Sequence, residues 1–185
     1  IEETMETMDY LVNKGYVRYI GVSNFSGWHI EKALRISEIH GYKKLISAQM
    51  QYNLVIRDIE MEVLPVCNAE GLSVMAWGPL GGGFLSGKYK SREKPMEGRI
   101  ATIGEGAEES WKRRATEQNF KILAKLEDVA KEHSKTIPQV ALNWLIYQKV
   151  FPILGARTLE QIKDNMGVVD WTLTQKELNE LNEVS

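Results

Sequence analysis

The chain has 185 residues, 43% of them apolar, 26% charged and 9% aromatic, the make-up of a soluble globular chain long enough to bury a core. Its net charge of −2 supplies no basic field for nucleic acid or anionic membrane. Apolar runs such as Leu72–Pro79 fall far short of the ~20 residues of a membrane span. A lone cysteine, Cys67, excludes an internal disulfide framework and suits a reducing, cytoplasmic compartment. His29, His40 and His133 are scattered without ligand spacing, so no metal site is expected.

The chain opens at Ile1 without an initiator Met and runs straight into Glu2–Asn13, where Met5, Met8 and Leu11–Val12 recur at helical spacing. This is the expected look of a chain with a piece removed upstream. Lys14-Gly15 stops that helix, and Val17–Val22 reads as a strand. Asn24–Ser26 is expected to cap a helix over Gly27–His40 that presents Ile30, Leu34 and Ser37 on one face. Leu45–Gln49 follows as a second strand, and a helix is expected from Asp58 to Ala69. Gly71 ends it, and Leu72–Ala76 is the third strand. A long Gly-, Pro- and charge-rich stretch spans residues 78–109. Helices over Ser110–His133 and Ile137–Gln148 come next, with Pro138 tolerated in a first turn. Phe151–Leu154 is the fourth strand; Thr158–Gly167 and Thr174–Val184 close the chain as helices, Thr174 and Glu177 having capping-box spacing.

Alternating strands and helices with apolar strands predict a parallel α/β sheet buried on both faces. Four strands are half of what a (β/α)8 barrel needs in its typical ~250 residues. Half a barrel has two open edges, which invite self-association.

Each strand is followed by a polar or glycine-rich cluster: Ser23-Asn24, Gln49, Trp77-Gly78-Pro79-Leu80 and Gly155-Ala156-Arg157. In parallel barrels, sites gather at these strand ends. The segments VRYIGVSNFSGWHIEKAL, SAQMQYNLVIRDIE, GLSVMAWGPLGGGFLSGKY and PILGARTLEQIKDN resemble strands five to eight of the aldo/keto reductase family, and of the related potassium-channel β subunits. Residues 1–185 are therefore expected to form the C-terminal half of a (β/α)8 TIM barrel.

The resemblance implies an oxidoreductase that reduces a small aldehyde or ketone with NADPH. It implies that Ser23, Asn24 and Gln49 hold the nicotinamide carboxamide and that Trp77 stacks on the ring. Gly78, Pro79, Leu80 and Gly81 would admit the pyrophosphate, with Lys88 and Arg99 supplying charge. Gly155, Arg157, Gln161, Asp164 and Asn165 would hold the adenosine end, Arg157 taking the 2′-phosphate of NADP. The family's catalytic Asp, Tyr, Lys and His belong to the first four strands, so no catalytic residue is assigned here; neither Tyr52 nor Tyr89 matches the acid position.

Plainer readings stand beside these. Ser23-Asn24 alone is an ordinary helix cap, Trp77 alone a core residue, and Arg157 alone a solvated arginine. Together they favour a site. Residues 82–89 (GGFLSGKY) nearly spell a triphosphate-binding loop, but Tyr89 replaces the hydroxyl that would hold Mg²⁺. No G-x-G-x-x-G is present there, so a Rossmann site is unsupported. Trp28, Trp111, Trp144 and Trp171 read as packing or surface residues, Cys67 as buried packing, and the mixed charges of Glu108–Lys135 as a solvated face. A non-catalytic nucleotide- or partner-binding module is the alternative to the enzyme reading.

Overall fold

The computed structural model describes residues 1–89, 93, 95, 96, 100 and 106–185, the side chain of residue 107 excepted. They fall into two compact units: Ile1–Gln51 with Asp58–Trp77, and Tyr52–Arg57 with Gly78–Ser185.

The first unit holds α1 (Glu2–Asn13), β1 (Gly21–Ser23), α2 (Gly27–His40), β2 (Ser47–Gln51), α3 (Val63–Glu70) and β3 (Ser73–Trp77). The three strands are parallel; Ser23 pairs with Gln49, and Gln49 with Met75. Ala48, Met50, Val74 and Ala76 are buried, whereas Gln49, Gln51, Met75 and Trp77 on the alternate face are half-exposed. The expected burial of both faces is therefore corrected. β2 alternates small or apolar residues with Ser47, Gln49 and Gln51, and such a strand covers one face only.

α1 and α2 have the boundaries the periodicity predicts, and Gly15, Gly41 and Gly71 stand at positive φ just past helix ends. Three expectations change. Of Val17–Val22, only the end enters the ladder, because pairing begins at Gly21 and Tyr16 and Tyr19 lie in solvent. The helix expected over Asp58–Ala69 is a short 3-10 turn, Asp58–Glu60, followed by α3. Finally, the side chains of Asn24 and Ser26 do not cap α2. Ser26 Oγ turns to His29 Nδ1 at 2.7 Å, and the Glu62 carboxylate accepts the free Trp28 N–H at 2.8 Å. Gly27 makes room for this: a Cβ there would lie 2.4 Å from Glu62 Cγ. Cys67 is fully buried, and burial pushes its thiol above the usual range, so it is packing and no nucleophile.

The second unit holds α4 (Ala107–Arg114), α5 (Glu117–Glu132), α6 (Ile137–Tyr147), β4 (Phe151–Pro152), α7 (Leu159–Met166) and α8 (Gln175–Glu183). Its core is built by Leu126, Leu142, Trp144, Leu145, Leu178 and Leu181. The single helix expected over Ser110–His133 is broken after Arg114, because Thr116 turns extended and its hydroxyl caps α5 through Asn119 N–H. The solvated face is as read, with Lys–Glu pairs such as 112–108, 121–117 and 131–127 along the helices.

The capping box of α8 is present. Glu177 accepts from the Thr174 N–H at 2.6 Å and hydroxyl at 2.7 Å, and His133 Nε2, carrying the proton there, donates to its other oxygen at 2.6 Å. Burial pushes the Glu177 carboxyl up, but the Thr174 and His133 donors outweigh it and hold the carboxyl below its ordinary 4.5. A depressed carboxylate stabilises fully above its unfolded value and loses that contribution as pH falls through the folded one. The midpoint of thermal unfolding should therefore fall as pH drops below about 4.5. Glu177→Gln should cost about 1–2 kcal/mol at neutral pH and flatten the acid limb. An unchanged acid limb in the variant would rule this out.

Candidate cofactor site

In the first unit, β1, β2 and β3 end together and gather Ser23, Asn24, Gln49 and Trp77. Asn24 takes positive φ (57°), its N–H bonded to the Gln49 carbonyl at 3.1 Å. Its Oδ1 accepts the Trp77 indole N–H at 2.9 Å. That bond fixes the indole plane and leaves a half-exposed ring at the strand end. Ser23 is exposed and Gln49 half-buried, so both side chains reach solvent.

In the second unit a cavity of about 690 Å³ is lined by Gly78, Pro79, Leu80, Lys88, Gly155, Arg157, Gln161, Asp164 and Asn165 among the expected residues. Gly81, also expected there, is buried and is not among the lining residues. Arg99 lies outside the described residues. Gly82, Gly83, Ser86, Pro138, Ile153, Leu154 and Ala156, for which no cofactor contact was expected, complete the lining.

The glycine loop is shaped for close approach. Gly78, Gly81, Gly82 and Gly83 all have positive φ, up to 98° at Gly83. Lys88 Nζ lies beside Gly83, where an added Cβ would meet it in ordinary contact at 3.5 Å, so it is the positive φ and not crowding that calls for glycine there. Asn53 Nδ2 donates to the Gly78 carbonyl at 2.9 Å, and Arg114 Nε to the Gly81 carbonyl at 3.0 Å. Neither residue stood out in the sequence. The loop winds through 3-10 turns over Gly81–Ser86, and Gly87, Lys88 and Tyr89, where the helix of a triphosphate loop would begin, are not helical, which disposes of that reading.

At the opposite wall, Thr158 caps α7 by accepting the Gln161 N–H at 3.3 Å, and Gln161 Oε1 accepts the Arg157 N–H at 2.7 Å. Arg157 is thereby held at the helix start with its side chain exposed. The cavity brings together two cations, glycines without side-chain bulk, and a helix N-terminus: the chemistry that receives phosphate. Among the described residues no cluster of metal-ligating side chains occurs, and no helix is long and apolar enough to cross a membrane.

A model described as the aldo/keto reductase family matches residues 1–185. The chain belongs to the aldo/keto reductase family. Similar curated proteins include an uncharacterized oxidoreductase, YrpG, of Bacillus subtilis, 36% identical over 99% of this chain and 53% of its own length. An aryl-alcohol dehydrogenase of Phanerodontia chrysosporium, whose name specifies NADP(+), is 32% identical over 99% of this chain and 48% of its own. The crystal structure of a thermostable aldo-keto reductase, Tm1743, in complex with the inhibitor epalrestat, superposes with a TM-score of 0.74 at 27% identity, covering all of this chain and 54% of that one. The α/β fold, parallel strands with helices between them, is thus that of an aldo/keto reductase. The chain spans about half the length of the curated relatives it matches.

Proposed function

We propose that this chain is the NADP-binding half of a cytoplasmic aldo/keto reductase that reduces aldehydes or ketones to alcohols, and that by itself it performs no reduction. The observation that carries the reading is the cavity in which the glycine loop and Lys88 face Arg157 at the start of α7. Ser23, Asn24, Gln49 and Trp77 would hold the nicotinamide end, Gly78–Gly81 with Lys88 and Arg99 the pyrophosphate, and Gly155, Arg157, Gln161, Asp164 and Asn165 the adenosine end. When bound, NADPH supplies the hydride that reaches a carbonyl carbon as a proton reaches its oxygen. No residue of this chain matches the family's proton donor. A buried, unpaired Cys67 supports the reducing compartment.

Titration of the purified chain by NADPH fluorescence, with NADH in parallel, tests this. Saturable binding that favours NADPH is expected, without turnover of a test aldehyde. A flat titration, or reduction of the aldehyde by the chain alone, overturns it.

A second reading is a non-catalytic partner-binding module that pairs with a second copy, two sets of four strands making the eight of a barrel. It is favoured by α7, which turns Leu159, Ile162 and Met166 to solvent at 60%, 50% and 57% exposure. A monomer in sedimentation equilibrium overturns it.

A further inference from the structure

α7 is an eight-residue helix whose large apolar side chains face solvent and whose one buried residue is Asn165. Helices this short are marginal unless an apolar face is packed. Something polar must therefore fix its stance, and the contacts lead to the first turn of α6.

Gln139, 8% exposed, occupies the third position of α6. Its Oε1 accepts the Thr136 N–H at 3.1 Å and closes the α6 capping box. Its Nε2 has two hydrogens left, and both go to α7: the Asp164 carbonyl at 2.7 Å and the Asp164 carboxylate at 3.2 Å. The Thr136 hydroxyl donates to the same carboxylate at 3.1 Å. Asp164 is thus gripped through main chain and side chain at once. Gly167 is shaped around the grip, since a Cβ there would lie 2.3 Å from Gln139 Nε2 and 3.0 Å from its Cδ. Asp164 and Asn165 line the cavity; Gln139 and Thr136 do not.

We infer that Gln139 is a positioning residue: acting through Asp164, it holds α7 at the cavity wall and so sets affinity for the adenosine end of a nucleotide without touching it. The inference rests on the nucleotide reading above.

Two variants separate the link from the fold. Gln139→Leu removes both ends of the grip. Gln139→Glu keeps the oxygen that caps α6 but has no N–H for the Asp164 carbonyl and sets a like charge beside its carboxylate. In both, amide hydrogen exchange of the nucleotide-free chain should speed up about tenfold or more across α7, with α5 unchanged. NADPH should bind about tenfold more weakly, while reduced nicotinamide mononucleotide, which lacks the adenosine end, binds as in the parent. Gly167→Ala should reproduce the loss, and adding Gln139→Ala to it should cost little more, since the two changes break one contact. Unchanged α7 exchange in both variants overturns the grip. Equal weakening of NADPH and the mononucleotide overturns the positioning role. A parent chain that binds no NADPH at all sinks the nucleotide reading instead, leaving the exchange result to judge the grip alone.

Discussion

Replacing Trp144 with alanine is expected to destabilise the second unit by about 3–5 kcal/mol, the range for deleting a buried indole. Trp144 is fully buried on α6. Its ring lies 5.2 Å from that of Tyr52, tilted by 50°, with the Arg57 guanidinium 5.3 Å over it. Its N–H donates to Asn182 Oδ1 on α8 at 3.1 Å, and Arg57 reaches the same end of the chain through Ser185. One side chain therefore ties Tyr52–Arg57, α6 and α8 together. Truncation leaves a cavity, an unpaired Asn182 oxygen and a guanidinium without its ring. Thermal unfolding followed by near-ultraviolet circular dichroism should show a midpoint lower by roughly 6–20 °C. Trp144→Phe, which keeps most of the volume and loses the donor, should fall by less than half of that. A midpoint within about 2 °C of the parent for the alanine variant would show that the indole organises nothing.

The second large effect is expected at Arg157. If its guanidinium reads the 2′-phosphate, Arg157→Ala removes charge-assisted hydrogen bonds of about 1.5–3 kcal/mol, a 10- to 150-fold rise in the NADPH dissociation constant. NADH, which lacks that phosphate, should bind the variant as it binds the parent. Arg157→Lys should recover part of the preference only, because an ammonium cannot form the paired contact. Raising salt should erode the parent's preference, since the side chain is exposed. Equal NADPH and NADH affinities in the parent chain would remove Arg157 from this role.

Much of the fold could be read from residue patterns with a local cause. α1 and α2 carry regular apolar spacing and end at glycines, so their limits were legible to the residue. The Thr174–Glu177 box was legible for the same reason. The break at Arg114–Thr116 was not, because charged residues continue across it and only the extended turn of Thr116 betrays it. Val17–Val22 reads as a strand by composition, but pairing depends on what lies beside it, which a sequence does not state.

The candidate site divides in the same way. Its glycines and cations could be found by type and by family resemblance. Arg114, Asn53 and Gln139 could not, because each acts on a backbone carbonyl, at Gly81, Gly78 and Asp164 respectively. Every residue has such a carbonyl, so nothing in the letters marks which one will be held.

The two side-chain donors on the glycine loop carry a kinetic meaning. Residues 78–83 include four glycines and would sample a wide range of shapes if left free. Asn53 and Arg114 fasten the loop's carbonyls at two points, so its conformational entropy is surrendered when the chain folds and not when a ligand arrives. A phosphate reaching this wall meets a preformed surface, and association there should be limited by encounter, with the lifetime of the complex left to set its strength.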